Sequence, residues 1–169
     1  TSTERLSGAI DLVPTLLSAA GADSSPLPGH DLSPLWSNPN HAVRDSVLFS
    51  SDAFSSMGPA GPHRGFLRGI VTERHKYGRY FRPGEQGLGR RAADLELYDR
   101  LRDPAEMSNL AHPGVGGVGA ESVIDELDRQ LDDLIAAEIG ADDVQPVGPG
   151  SPPALITRMW SRRFGAVAG

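Results

Sequence analysis

The sequence predicts an α+β fold, in which a small antiparallel sheet of four strands is covered by one long helix. Four short runs rich in apolar and aromatic residues follow one another between positions 46 and 100, joined by links of hairpin length. One amphipathic run, Glu121 to Ile139, comes after them. A single helix of this kind is what one face of such a sheet needs for its cover.

The first element is a helix within Ser7 to Gly21. Its apolar residues recur at helical spacing, at Ile10, Val13, Leu16, Leu17 and Ala20. If Asp11 is the N-cap, Pro14 falls in the first turn, where a missing N–H costs no intrahelical bond. Gly21 then ends the helix in a left-handed conformation. A general base or a metal ligand is the alternative role for Asp11, but a cap accounts for its spacing to Pro14.

A loop is expected from Ala22 to Ala42, because Pro, Gly, Asn and Ser punctuate this stretch. Its apolar anchors are Leu32, Leu35 and Trp36. The first strand follows at Ser46 to Ser50. Three consecutive apolar residues in it predict a strand that is covered on both faces.

Three further strands are expected at Phe66–Glu73, Lys76–Phe81 and Leu95–Arg100. Arg74 and His75 lie between the first two of these and predict a tight hairpin. The Gly-rich, charged stretch Arg82 to Ala93 predicts a longer hairpin loop before the last strand.

The residues after the fourth strand predict a compact turn. Asp103 precedes Pro104, and Glu106 stands three places after Asp103, which is the spacing of a capping box. Asn109 suits a self-bonded backbone, and Leu110 can anchor the turn. The following glycine-rich run predicts a loop and not a phosphate cradle, since no strand precedes it and no Lys follows.

The last predicted helix, Glu121 to Ile139, carries one apolar stripe and one acidic face and ends at Gly140. The stripe consists of Ile124, Leu127, Leu131, Leu134, Ile135 and Ile139, and the acidic face of Asp125, Asp128, Asp132 and Asp133.

Composition excludes several classes of function. The 169 residues carry a net charge of −6 and no Lys/Arg cluster longer than a dipeptide, which gives no footprint for nucleic acid or anionic lipid. The absence of cysteine excludes disulfides, thiolate metal sites and a cysteine nucleophile within this sequence. No apolar run approaches the roughly eighteen residues that span a membrane. The sequence begins at Thr1 without a Met, which suggests processing or a piece of a longer protein.

The search for chemistry finds no catalytic constellation. His30, His41 and His112 lie in predicted loops without the spacing of metal ligands, and no GxSxG motif occurs. His63 and Arg64 precede a strand, where a loop can aim side chains into a cleft; a surface pair without a role is the alternative. An anion site, or simply the outward face of a strand, is expected from Lys76, Tyr77 and Arg79.

Three stretches in register resemble the C-terminal part of the sulfatase family, in the alkaline-phosphatase-like superfamily. The first, IDLVPTLLSAAG at Ile10–Gly21, is similar to the family pattern DxxPTLLxxAG and is followed by HDLSPLW. The second, RGIVTERHKYGRYF at Arg68–Phe81, resembles a hairpin that an Arg opens and a Lys-Tyr closes. The third, ELYDRLRDPAEMSNLA at Glu96–Ala111, resembles ELYDLxxDPxExxNLA.

The resemblance implies a hydrolase that cleaves sulfate esters. It implies a formylglycine nucleophile, made from Cys or Ser in a CxPxR or SxPxR motif, and a calcium-type cation held by Asp and Asn. This sequence contains neither motif. We therefore expect both groups in an N-terminal α/β part that is absent from these residues, and no activity from this chain alone.

The resemblance also implies a division of the chain. Residues 1–42 form the end of the large α/β domain as a helix and a tethered loop, 43–140 the C-terminal sheet and helix, and 141–169 a Pro/Gly-rich tail. The expected partners are the N-terminal α/β part and a small-molecule sulfate ester, which His63 and Arg64 would bind at the rim of the pocket; neither nucleic acid nor membrane is expected. The alternatives are a phosphodiesterase or phosphonate monoester hydrolase of the same superfamily, and a non-catalytic interaction module.

Overall fold

The computed structural model describes residues 2–51, 66–82 and 85–140. The helices in these ranges are α1 (Leu12–Ala19), α2 (Pro34–Ser37) and α3 (Ala120–Leu134), which a π-helical turn extends over Ile135–Ile139. The strands are β1 (Ser46–Ser51), β2 (Phe66–Thr72), β3 (His75–Phe81) and β4 (Asp94–Asp99). Turns of 3-10 helix occupy Ala9–Asp11 and Gln86–Ala92. Within the described ranges, no helix is both long and apolar enough to span a membrane.

The four strands form one antiparallel sheet in the order β1-β2-β3-β4, as the sequence predicted. β2 and β3 are joined by a two-residue turn, because Val71 pairs with Lys76 and the strands end at Thr72 and begin at His75. This hairpin lies one residue earlier than expected, since His75 already belongs to β3.

The core lies between one face of the sheet and α3. Ile70, Tyr77 and Leu97 on the sheet contact the apolar stripe of the helix, Ile124, Leu127 and Leu131, and all six are at most 4% exposed. This confirms the prediction of one long amphipathic helix over the sheet. Since buried apolar area is the main stabilising term in folding, this layer holds the fold together.

β1 is only half-buried, so the prediction of cover on both faces was wrong. It is an edge strand, and α3 packs mainly on β2 and β3. On the face away from α3, the Phe49 ring lies on the backbone of Gly69, where an added Cβ would stand 2.2 Å from Phe49 Cζ. The bare glycine therefore leaves room for the aromatic ring of the edge strand.

The start of α1 corrects one expectation and confirms two. Pro14 lies in the first turn, and Gly21 has φ +71, the left-handed conformation expected for the helix end. Asp11, however, does not cap α1. Its backbone is already helical (φ −80, ψ −14), and its Oδ2 accepts a hydrogen bond from Gly8 N, ahead of the helix, at 2.7 Å.

The connection from Ala22 to Ala42 is not all loop, because α2 interrupts it with Pro34 in its first turn. Leu35 is buried at 8% exposure, as an anchor should be, but Trp36 is 65% exposed. The expectation that Trp36 anchors the loop to the described fold was therefore wrong.

The turn after β4 is compact, but it is not a capping box. Glu106 has φ +54, an uncommon conformation outside glycine, and its carboxylate turns away from Asp103 to pair with Lys76. Asn109, instead of the Asp103 and Glu106 pair, fixes the turn by side-chain hydrogen bonds to the backbone. Its Oδ1 accepts hydrogen bonds from Leu97 N and Ala111 N, and its Nδ2 donates to the carbonyl of Leu95.

Candidate functional site

The predicted pair His63 and Arg64 lies outside the described residues, so its role as a substrate-binding pair stays a prediction. The strands that flank residues 52–65 are described. Ser51 ends β1 and pairs with Leu67 near the start of β2, which in turn pairs with Tyr80, and Tyr80 with Asp94. We call this row the open end of the sheet. The segment that carries the predicted pair therefore joins the fold at this end.

A cleft of about 610 Å³ lies at the open end. Its lining comes from β3, β4 and the segment after the turn, and includes Tyr80, Asp94, Glu96, Asn109 and His112. The Tyr80 hydroxyl donates a hydrogen bond to Glu96 Oε2 at 3.0 Å. Burial, and then the negative charge of Glu96, raise the pKa of Tyr80 to about 12. The phenol is therefore a hydrogen-bond donor at neutral pH and not a base.

The remaining polar groups of the cleft offer little chemistry. The Asn109 amide is engaged by the backbone of β4 and by Ala111. The exposed His112 ring has its Nδ1 2.9 Å from the carbonyl oxygen of Pro113. Asp94 and Glu96 bring negative charge, which disfavours a bound sulfate group. The described lining of the cleft can accept hydrogen bonds from hydroxyl or amino groups, but it includes no activated nucleophile.

Among residues 2–51, 66–82 and 85–140, no group of three or more His, Asp or Glu side chains is placed to hold a metal ion. The described residues therefore do not fit the calcium-type cation that the resemblance implies.

The suggested anion site at Lys76, Tyr77 and Arg79 is not formed. Lys76 pairs with Glu106, and the Tyr77 hydroxyl donates to Asp128 Oδ1 at 2.7 Å. Arg79 is 4% exposed at its side chain and pairs with Asp128 and Asp132 of α3. Burial, and then Asp128, raise the pKa of Tyr77. Both cations already have carboxylate partners. Tyr77 and Arg79 join the sheet to α3, and Lys76 joins it to the turn after β4.

Three buried charged side chains form a second polar group, which we call the Arg44 cluster and which consists of Asp11, Arg44 and Glu138. Arg44 Nη2 lies 2.7 Å from Asp11 Oδ1, and Arg44 Nη1 lies 3.2 Å from Glu138 Oε1. The three side chains are 3% (Arg44), 0% (Asp11) and 9% (Glu138) exposed. Asp11 Oδ1 also accepts a hydrogen bond from His30 N at 2.9 Å.

This environment rules out the alternative role of Asp11 as a general base or metal ligand. Both carboxylate oxygens already accept hydrogen bonds, and no surface is left for a substrate. Local patterns missed Arg44 and Glu138, because their partners are 33 and 94 residues away in sequence. A signal was present in the helix register: position 138 continues the buried stripe of α3, and a charge there needs a partner.

Comparison with known proteins identifies the fold as one found in sulfatases. No family model matches the chain, and no curated protein matches it significantly. Solved structures do match. BT4656, solved in complex with its substrate D-glucosamine-2-N,6-O-disulfate, is similar with a TM-score of 0.59 and 21% identity over 79% of this chain.

Two further matches are a protein assigned to the sulfatases from Bacteroides thetaiotaomicron (TM-score 0.55, 26% identity, 75% of this chain) and BT1596, a 2-O glycosaminoglycan sulfatase (TM-score 0.54, 25% identity, 79% of this chain). The chain spans about a quarter of these proteins, 24%, 24% and 25% of their lengths. The likeness fits a C-terminal part of a sulfatase, which confirms the resemblance drawn from the sequence.

Proposed function

We propose that this chain is the C-terminal subdomain of a sulfatase-like hydrolase that cleaves sulfate esters. The observation that carries the proposal is the likeness of its fold to about a quarter of the length of several sulfatase structures. Three sequence stretches in register point to the same family independently of that fold.

The exposed apolar residues of α1 support a partner for this subdomain. Leu12, Val13 and Leu16 are 56%, 54% and 69% exposed, although α1 is one of the most apolar segments of the sequence. An apolar face on a short helix is costly in water and marks a contact surface. In this proposal it packs against an α/β part, of which α1 is the last helix.

The chemistry then divides between the two parts. The formylglycine nucleophile and the calcium-type cation belong to the α/β part, because this sequence has no CxPxR or SxPxR motif and its described residues offer no ligand set. This subdomain supplies a wall of the pocket at the open end of the sheet, where His63 and Arg64 bind the substrate. Residues 1–42 are the end of the α/β domain, 43–140 the subdomain proper and 141–169 a tail.

The substrate class follows as the second part of the proposal. One of the similar proteins was solved with a glucosamine disulfate as its substrate, and another is a 2-O glycosaminoglycan sulfatase. A cleft with carboxylates and a phenol suits the hydroxyl groups of a sugar better than its sulfate, which the basic His63 and Arg64 pair would contact. We infer that the complete enzyme acts on a sulfated saccharide.

The test is a substrate panel on the complete protein that contains this chain. The panel includes sulfated glucosamines, a 2-O-sulfated saccharide, an aryl sulfate, a phosphodiester and a phosphonate monoester. We expect release of sulfate, with the highest kcat/KM on a sulfated sugar. Hydrolysis of the phosphorus esters alone would favour the rival reaction class, and turnover of nothing would favour a non-catalytic module.

The rim residues are tested in the same protein. We expect His63→Ala and Arg64→Ala each to raise KM about tenfold or more for the sugar substrate, the size of one lost charge-assisted hydrogen bond. His41→Ala and Arg129→Ala are matched controls, since both residues are exposed and distant in sequence from the predicted pair. Unchanged KM in the first two variants would remove the pair from the site.

A further inference from the structure

The Arg44 cluster joins three parts of the chain that local contacts would leave independent. Asp11 directly precedes α1, Glu138 lies in the π-helical turn that ends α3, and Arg44 lies two residues before β1. Arg44 Nη1 also approaches the carbonyl oxygen of Ser46, the first residue of β1, at 3.5 Å. One guanidinium therefore contacts the first helix, the last helix and the edge strand.

The Arg44 cluster is a buried polar link between the start of α1 and the rest of the fold. The helix exposes its apolar side, and its buried positions are Pro14 and Thr15. Thr15 Oγ1 donates to the Asp11 carbonyl and accepts from Leu32 N, so it holds the loop that follows α1 and does not reach the sheet. By contrast, the link from Asp11 through Arg44 to Glu138 crosses to the sheet and α3 inside a buried, low-dielectric space, where ion pairs hold a defined geometry.

The cluster lies at the opposite end of the sheet from the cleft. It meets β1 at Ser46, whereas the open end begins at Ser51. Five residue steps along a strand span about 17 Å, so a tilt of about 10° at the cluster would move the open end by about 3 Å. A misplacement of even about 1 Å is enough to impair catalysis by a positioned group.

We infer that Arg44 is a positioning residue, which fixes the angle between α1 and the sheet and thereby places the open end of the sheet against the pocket. The claim that Arg44 places the open end of the sheet against the pocket rests on the proposed function, in which α1 packs in the α/β part. The claim that Arg44 links α1 to the sheet concerns contacts within this chain and does not depend on that function.

Hydrogen exchange on the complete protein tests the link. The amides of Leu16 to Ala19 have partners inside α1, and those of Leu127 to Leu131 have partners inside α3. In Arg44→Met we expect exchange in α1 to rise about 100-fold while the α3 amides change little, because the substitution removes the buried cation that pairs with Asp11 beside α1. Arg129→Met is the matched control, since Arg129 pairs with Glu126 on the exposed side of α3.

Arg44→Lys covers the case in which Arg44→Met does not fold. A single ammonium keeps the charge but cannot reach both carboxylates in the same way, so we expect about a tenfold rise in α1 exchange. Exchange within about twofold of the wild type in Arg44→Lys, or equal increases in α1 and α3, would overturn the link.

Kinetics of the complete enzyme test the positioning. If Arg44 places the open end of the sheet, Arg44→Lys should lower kcat/KM about tenfold for a saccharide that reaches the rim and leave a small aryl sulfate within about twofold. Equal losses on both substrates indicate general destabilisation and would overturn the positioning role. If the wild type turns over neither substrate, the proposed function fails, and the exchange experiment still decides the link.

Discussion

The two longer helices of this protein have similar apolar patterns, but α3 buries its apolar side and α1 exposes it. α3 buries its stripe against the sheet, with Leu131 at 0% exposure. α1 turns Leu16 outward at 69% exposure. Periodicity tells which residues of a helix share a face, but it does not tell what covers that face.

The contrast separates two roles within one chain. α3 completes the subdomain, because the sheet supplies the surface that its stripe needs. α1 is fixed to the same body by buried polar contacts at Asp11, while its apolar side is left for another surface. That is the arrangement expected for a helix shared with a second domain, and it supports the proposal that residues 1–42 belong with the α/β part.

The largest expected effect compares one substitution on the two helices. Leu131→Ala should lower the free energy of unfolding of this chain by about 2–5 kcal/mol, because it removes buried methyl groups and leaves a cavity. Leu16→Ala should change it by less than about 0.5 kcal/mol, since the side chain is exposed. Urea unfolding of the two variants measures both. Similar losses would mean that α1 is covered within this chain.

Two glycines with positive φ, one in the loop after α1 and one directly before α3, give the second comparison. Gly29 has φ +100, and a Cβ there would stand 2.4 Å from the carbonyl oxygen of Ile10, whereas Gly119 has φ +107 and no atom within 4 Å. We expect Gly29→Ala to cost about 3 kcal/mol, from strain and overpacking together, and Gly119→Ala about 1–2 kcal/mol from strain alone. Thermal unfolding ranks the two variants, and equal costs would refute the close approach at Gly29.

A third substitution weakens the polar contact between the sheet and α3. Tyr77→Phe removes the hydroxyl that donates to Asp128, while Asp128 keeps Arg79 beside it. We expect a loss of about 1 kcal/mol in the free energy of unfolding, the usual net value of one such hydrogen bond. A loss as large as that of Leu131→Ala would show that the polar contact, and not the apolar stripe, holds α3.

The smallest expected effect is a pH dependence at α1. The hydroxyl of Ser18 in α1 donates to Asp31, and this bond, with those from Ser33, lowers the pKa of Asp31. A lowered pKa stabilises the folded state above the unfolded value of about 4, and that contribution disappears as the pH falls through the folded pKa. Asp31→Asn should therefore flatten the fall of stability below about pH 4. An unchanged slope in a urea series at pH 5, 4 and 3 would exclude this contact as its source.

Local sequence patterns were enough for the sheet and for α3. Alternating and aromatic runs marked the strands, and the stripe through Leu127 marked the helix, because these elements are held by contacts of the kind that periodicity describes. The long-range polar contacts were not accessible in this way. Asp11 and Glu106 were assigned to caps by their spacing, yet their carboxylates bind Arg44 and Lys76, which lie far away in the sequence.

The candidate site was less predictable than the fold. His63 and Arg64 were predicted to bind the substrate because they precede a strand, but they lie outside the described residues. The cleft with Tyr80 and Glu96 was missed, since its lining comes from β3, β4 and the segment after the turn. Only the strand register brings these residues together.

The surface of α1 can be tested directly in the complete protein. Leu16→Asp should weaken or abolish sulfate release, because it places a charge in the proposed contact with the α/β part. Leu101→Asp is the matched control, since Leu101 is 70% exposed in the turn after β4. Equal activities of the two variants would contradict a buried role for Leu16.

Release of sulfate from a sulfated glucosamine tests the central claim most directly. The comparison is between residues 1–169 alone and the complete protein in which an upstream α/β part carries a CxPxR or SxPxR motif. We predict turnover by the complete protein and none by residues 1–169. Sulfate release by residues 1–169 alone, at a kcat/KM comparable to that of the complete protein, would contradict the assignment of this chain as a non-catalytic subdomain.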